Sequence, residues 1–309
     1  MLRAASAETT APVFCVGNLI AGGAGKTPTA IAVAKIARKM GMRPGFLSRG
    51  YGGNLRGPEV VDIKQHTAHD VGDEPLILAQ YAATVISADR PRGAELLEEQ
   101  GVDLIIMDDG FQNPSLHKDY SLVVVDARRG IGNGYCIPAG PMRAKLQPQL
   151  SKASAVLLIG QSAAGTEIVR HCARSAKPVL SATIKPLKPR SWKNTEVLAY
   201  CGIADPKKFH ASLVEVGADI KLERSFADHH PFSADECREL MAEAKSRNLL
   251  LATTQKDWVR LTRAGEQQEA LREASQVLQV ELVFENPKLI ELALQETIER
   301  AAARRATRK

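Results

Sequence analysis

The sequence predicts an α/β protein with a mostly parallel sheet at its core and a second, smaller α/β domain after it. Three observations carry this expectation. Short apolar runs alternate with helical stretches along the 309 residues, the pattern of strands joined by crossover helices. The stretch from Val13 to Thr29, VFCVGNLIAGGAGKTPT, reads as strand, glycine-rich turn and helix start in unbroken order. Between the two series, Lys185, Pro186, Lys188, Pro189, Arg190 and Lys193 punctuate the chain, which divides it into 1–185 and 186–309.

The Val13–Thr29 stretch has the form of a phosphate-binding loop, so the expected core is of the P-loop NTPase type. Gly22, Gly23, Ala24 and Gly25 leave backbone N–H groups free to converge on phosphate oxygens, and the helix that follows adds its positive end. Lys26 is then expected on the β- and γ-phosphates and Thr27 on Mg²⁺. The pattern departs from G-x-x-x-x-G-K-[ST] at its first glycine, where Ile20 stands.

In order, 13–16 is the first strand and 27–40 a helix that Gly41 closes. Strand 45–48 leads into Arg49-Gly-Tyr51-Gly-Gly53, a turn at the carboxyl edge of a parallel sheet, where ligands bind. A helix starts near Asp73, with Asp73 and Glu74 in its first turn and Pro75 tolerated there. Strand 84–87, helix 93–100 and strand 103–107 follow. Leu104 to Met107 running into Asp108 and Asp109 has the form of a Walker B strand, whose paired acids a bound Mg²⁺ relieves of mutual repulsion. Strand 121–126 precedes an irregular stretch, 127–150, that carries Arg128, Arg129 and many glycines and prolines. Such length without a period points to binding. Strand 155–159, a helix through Cys172 and strand 179–184 end the first series. The second series reads strand 197–201, helix 206–216, strand 220–226, helix 233–247, strand 249–253, helix 257–263, strand 280–284 and helix 287–303. Its chemically loaded turn is Asp228-His229-His230-Pro231, which is placed to face the first unit across a cleft.

Composition narrows the partners. The formal charge of +6 favours an acidic one, yet aromatic residues are 5% of the chain and no basic run is interleaved with Phe or Tyr, so nucleic acid is not expected. The tail, with Arg300, Arg304, Arg305, Arg308 and Lys309, suits either a solvated helix end or an anionic surface. No apolar run is long enough to span a membrane. Five cysteines without C-x-x-C spacing argue against both a disulfide framework and a zinc site. A regulatory GTPase is disfavoured because Met107 stands where D-x-x-G needs Asp and TTQKD lacks N-K-x-D spacing; a partitioning ATPase would carry a lysine at Ala21.

Taken together, GNLIAGGAGKTP, LSRGYGG, DVGDEP, IIMDDGFQ, RGIGNG, GIADP, FADHH and TTQKD resemble, in order and over nearly the whole chain, the tetraacyldisaccharide 4'-kinase family of lipid A biosynthesis. The resemblance implies ATP as donor and the 4'-hydroxyl of an acylated glucosamine disaccharide 1-phosphate as acceptor. It also implies action at the cytoplasmic face of a Gram-negative inner membrane. Carried over by position, Gly22 to Thr27 form the phosphate loop, and Asp73 is the base, paired with His229. Thr27, Glu74, Asp108 and Asp109 hold Mg²⁺, while Arg49, Tyr51, Arg128 and Arg129 position acceptor or phosphates. The family usually begins with an apolar anchoring helix, whereas twelve residues precede Val13 here. Either the start lies further upstream or the chain docks by its surface alone; peripheral attachment to an anionic membrane is the expectation.

Overall fold

The computed structural model describes residues 6–187 and 190–307, so Lys188 and Pro189 of the expected linker and Arg308 and Lys309 of the tail lie outside the described residues. Along the chain run β1 (Val13–Asn18), α1 (Lys26–Lys39), β2 (Pro44–Ser48), β3 (Glu59–Val60), α2 (Ala68–Val71), α3 (Asp73–Ala79), β4 (Thr84–Ile86), α4 (Arg90–Glu99), β5 (Leu104–Asp108) and β6 (Tyr120–Asp126). Then come α5 (Leu146–Lys152), β7 (Ala155–Ile159), α6 (Ala163–Arg174) and β8 (Val179–Pro186). The second series is β9 (Glu196–Cys201), α7 (Pro206–Glu215), β10 (Asp219–Ser225), α8 (Ala234–Ser246), β11 (Leu250–Thr254), α9 (Gln255–Leu261), α10 (Glu266–Ala274) and β12 (Ser275–Leu278), and the chain closes with β13 (Val280–Phe284) and α11 (Pro287–Ala306).

The strands form two sheets. The larger has nine strands in the order β13-β8-β7-β6-β1-β5-β2-β4-β3, parallel except for the edge strands β13 and β3. Strands β1, β5, β6 and β7 are buried along their whole length, which is why each reads as a continuous apolar run rather than an alternating one. One face is covered by α1 and α11 through Ala30, Val33, Ala34, Ile290 and Leu294; the other is covered by α4, α5 and α6 through Leu97, Leu150 and Ile168. Buried Ala30, Val33, Ala34 and Ala37 recur at helical spacing on α1, and Arg38 and Lys39 sit favourably at its negative end. The smaller sheet is parallel, in the order β10-β9-β11-β12.

Two differences from the sequence reading stand out. The reading ran 280–303 on as part of the second series, but β13 pairs antiparallel with β8, Leu282 opposite Ile184, and α11 packs on α1. An apolar edge left on β8 and an apolar stripe left on α1 draw the chain end back to the first sheet. The tail, too, is partly consumed within the molecule. Arg304 Nε and Nη2 donate to Asp119 at 3.1 and 3.2 Å, its Nη1 donates to the Thr9 carbonyl, and Arg300 Nη1 donates to the Asp119 carbonyl.

The two sheets meet along a short apolar seam. Val259 of α9 packs against Val71, Leu76 and Ile77 around α3, with Trp258 alongside. This seam sets the start of α3 against the start of α9.

Candidate active site

At the carboxyl end of β1 the chain turns through Leu19 to Gly25 into α1. Gly25, at the N-cap, has φ +85°, a left-handed conformation that favours glycine, and a Cβ there would press on Ile159 Cδ1 at 2.7 Å. Asn18 Nδ2 donates to the Gly22 carbonyl at 3.2 Å, which holds the turn closed. Ile20, at the position of the missing first glycine, is 3% exposed and its backbone bridges to Met142, so here the turn is shaped by packing against residues 141–143. Lys26 is buried at 8% exposure, with Nζ 3.6 Å from Asp109 Oδ2.

Strand β5 runs parallel to β1, with Asp108 opposite Val16, and so delivers its acids to the phosphate turn. Thr27 Oγ1 donates to Asp108 Oδ2 at 3.0 Å. Burial first, and then the neighbouring Glu74, pushes the Asp108 carboxyl up to about 7. Asp108 Oδ1 and Asp109 Oδ1 are both buried without a hydrogen-bond partner. Two orphaned carboxylate oxygens beside a threonine hydroxyl are the chemistry a hard cation accepts. Glu74 behaves differently from the sequence expectation, because Lys256 Nζ donates to its Oε1 at 2.6 Å. Among the described residues no three His, Cys, Asp or Glu side chains converge as a cage, so an Mg²⁺ here would draw its remaining ligands from phosphate and water.

Asp73 and His229 come from different sheets and meet. Gly72, with φ +89°, lets the chain pass so close to Tyr51 that a Cβ would stand 2.4 Å from its carbonyl oxygen, and this approach aims α3 at the seam. Asp73 is 4% exposed; its Oδ2 lies 3.3 Å from His229 Nδ1 and accepts from Arg260 Nε at 3.0 Å and Nη2 at 2.5 Å. Burial works to raise its carboxyl, but the His229 hydrogen bond and the charges of Lys256 and Arg260 outweigh it and hold Asp73 well below the usual range. Conversely, the hydrogen bond to Asp73 raises His229 against a smaller opposing effect of burial. Arg260 is in turn held by Asp257 Oδ1 at 2.7 Å and by the Gly202 carbonyl at 2.6 Å.

The expected acceptor residues occupy the same edge. Arg49 is exposed, and Tyr51 stands edge-on to His229 with ring centroids 5.9 Å apart. Arg129 lies against the phosphate turn, its Nη1 2.9 Å from where a Gly22 Cβ would be, and Arg128 is exposed beside it. Sequence reasoning missed Arg260, Lys256 and Arg143, whose Nη2 donates to Asp109 at 3.1 Å. The signal for the first two was TTQKDWVR, in which Thr254 caps α9 and Lys256 and Arg260 fall one turn apart. Also unforeseen is a cavity of about 510 Å³ between the two units, lined by Pro28 and Ile31 of α1, by Ile203 and Phe209, and by Thr254 and Leu282. Lys208 of α7 crosses to Asp126 at the end of β6 beside it.

Comparison with known proteins shows the family and the fold. The chain matches the family described as Tetraacyldisaccharide-1-P 4'-kinase over residues 2–299. A tetraacyldisaccharide 4'-kinase of Agrobacterium fabrum is 48% identical over 304 residues, covering 98% of this chain and 87% of that protein. One of Allorhizobium ampelinum is 50% identical over 293 residues, covering 93% and 85%. The crystal structure of LpxK from Aquifex aeolicus in complex with ATP is 24% identical and superposes with a TM-score of 0.74 over 95% of this chain and 90% of that one, which shows the shared fold.

Proposed function

The chain belongs to the tetraacyldisaccharide 4'-kinase family, and from that premise we propose how its residues carry a phosphoryl group from ATP to a sugar hydroxyl. It is a kinase that phosphorylates the lipid A precursor at the 4' position using ATP. The acceptor is a tetraacylated glucosamine disaccharide 1-phosphate. The observation that carries the residue roles is the convergence, at one sheet edge, of the glycine turn, the Thr27–Asp108 pair and the Asp73–His229 pair.

The backbone of Gly22 to Gly25 and the start of α1 hold the phosphates, and Lys26 follows the charge that moves onto the bridging oxygen. The apolar cavity behind α1 takes the adenosine end of the donor, since Pro28 and Ile31 continue directly from the phosphate turn. Thr27, Asp108 and Asp109 would hold Mg²⁺, which when bound would supply positive charge to the phosphate oxygens, while Glu74 is the partner of Lys256. Arg49, Arg128 and Arg129 position phosphates and Tyr51 the sugar.

The acceptor hydroxyl must lose its proton as it attacks. With Oδ2 of Asp73 already accepting from Arg260 and pulled below the usual range, the imidazole is the basic atom of the pair. His229 therefore takes the proton, and Asp73 orients the ring through Nδ1 and stabilises the imidazolium that forms. This order differs from the sequence reading, in which Asp73 is the base. No described helix is long and apolar enough to cross a membrane. The acceptor's four acyl chains and the donor's cytosolic supply support work at the cytoplasmic face of a bacterial inner membrane.

The test combines purified protein, radiolabelled ATP, Mg²⁺ and disaccharide 1-phosphate in detergent. Label should enter the lipid and cease to do so when EDTA is added. Label that stays in ATP, or transfer that ignores EDTA, would overturn the assignment.

A further inference from the structure

We propose that the loop 131–143 is the surface on which this protein docks to an anionic lipid bilayer, with Tyr135 and Ile137 entering the interface. The proposal rests on the acceptor being a lipid and adds which face meets it. The loop is built to present apolar groups outward. Its backbone is closed on itself, with Ile137 N donating to the Met142 carbonyl at 3.0 Å, Met142 N to the Tyr135 carbonyl at 3.1 Å and Asn133 Nδ2 to the Ala139 carbonyl at 3.0 Å. Met142 is buried, and Ile131 and Cys136 pack on the core. Tyr135 and Ile137 nevertheless remain 65% and 58% exposed. Internal packing thus fixes the loop while leaving two large side chains facing outward, the arrangement a bilayer interface rewards.

Charge says which surface covers them. From Ala127 to Thr166 the chain has no Asp or Glu, while exposed Arg128, Arg129 and Lys145 flank the loop and Arg143 within it is paired with Asp109. Cations around an apolar tip suit anionic headgroups over acyl chains. The rival exposed pair, Leu289 and Leu292 on α11, stands among mixed charges, Glu285, Lys288 and Glu291, with Glu296 paired to Arg300, a setting that favours an anionic surface less. The tail is a weaker contact than its composition suggests, because Arg304 is neutralised by Asp119 and lies at the amino edge of the sheet. The loop lies at the opposite edge: Ala21 N donates to the Pro141 carbonyl at 2.8 Å and Arg143 N to the Leu19 carbonyl at 3.0 Å, so a bilayer touching the loop would lie beside the phosphate turn. An acceptor could then present its sugar to the site with its chains still in the membrane.

Flotation with phosphatidylcholine vesicles, with and without phosphatidylglycerol, tests this without ATP or acceptor, so its failure is separable from failure of the kinase assay in detergent. The full-length protein should float with phosphatidylglycerol and be released by salt. Tyr135→Ser/Ile137→Ser should lower partitioning about tenfold or more, while Leu292→Ser floats as the parent does. In Ile137→Trp, tryptophan emission should shift blue with phosphatidylglycerol vesicles. The proposal is overturned if the double variant floats normally, if the parent fails to float at low salt, or if emission does not move while the protein floats. It is equally overturned if the parent is a dimer on gel filtration that the double variant converts to a monomer, since the pair would then be a self-association face.

Discussion

Single residues carry the chemistry in unequal ways. In the proposed mechanism Lys26 and Thr27 act on charge that grows during transfer, so Lys26→Ala and Thr27→Ala should each lower kcat by about a hundredfold to a thousandfold, with melting temperatures near the parent's. Steady-state kinetics would check this, and near-normal turnover in either variant would remove the phosphate-loop assignment. His229 predicts a pH dependence with a definite sign. In the proposed mechanism its neutral form accepts the proton, so kcat/KM should rise with pH through a pKa above the ordinary histidine value, raised first by the Asp73 hydrogen bond. In Asp73→Asn the carboxylate is gone while Arg260 and partial burial still disfavour the imidazolium; Asp228 is the remaining acid facing the ring. The acid limb should therefore move to lower pH as the plateau falls, measured at saturating Mg²⁺ so that Asp108 stays ionised. An acid limb that stays put would show that His229 does not set it and would remove the basic role from His229. These residues differ in legibility. Lys26 and Thr27 are readable because strand, turn and helix lie contiguous in sequence, and Asp108 because it ends an apolar strand, whereas Arg260 acts on a partner 187 positions away that TTQKDWVR does not name.

Elements were legible where their burial is two-sided and local. β1, β5 and β6 read as apolar runs because both faces are covered, and α1 reads as a helix from its stripe. The four-residue β12 and the helix α10 before it went unread, since QVL is too short to show a period. β13 was found as a strand but not its sheet, because antiparallel addition to β8 depends on how the second unit docks. Within α9, Asp257 is the keystone. It is fully buried, Oδ1 accepts from Gly202 N at 3.0 Å and from Arg260, and Oδ2 accepts from Thr254 Oγ1 at 2.6 Å. Asp257→Ala would strip the buried Arg260 guanidinium of one of its two carboxylate partners and leave Asp73 as the other. Removing one partner of such a pair costs about 3–5 kcal/mol, so urea unfolding should show a loss of that order. A change under about 1 kcal/mol would mean that Asp73 alone satisfies Arg260.

At the scale of the molecule the proposed proton-accepting cluster, unlike the phosphate turn, exists only where the two sheets' helices meet. Asp73, Glu74 and Asp126 come from the first sheet's side, and Arg260, Lys256 and Lys208 reach them from the second. The sequence placed Asp73 and His229 together by family resemblance alone, since nothing in either motif records a separation of 156 positions (229 − 73) or the seam that spans it. That geometry makes a prediction neither residue makes by itself. If proton acceptance requires His229 oriented by Asp73, then losing either one disables the same event, and losing the second removes little more. Asp73→Ala and His229→Ala should each depress kcat far more than they raise KM, and the double variant should be scarcely slower than the poorer single one. If instead Asp73 serves only to begin α3 and to anchor Arg260, while His229 merely lines its turn with φ +61°, the two losses are independent. Their effects on kcat would then multiply in the double variant, and the seam would be a scaffold beside the chemistry rather than the place where it happens.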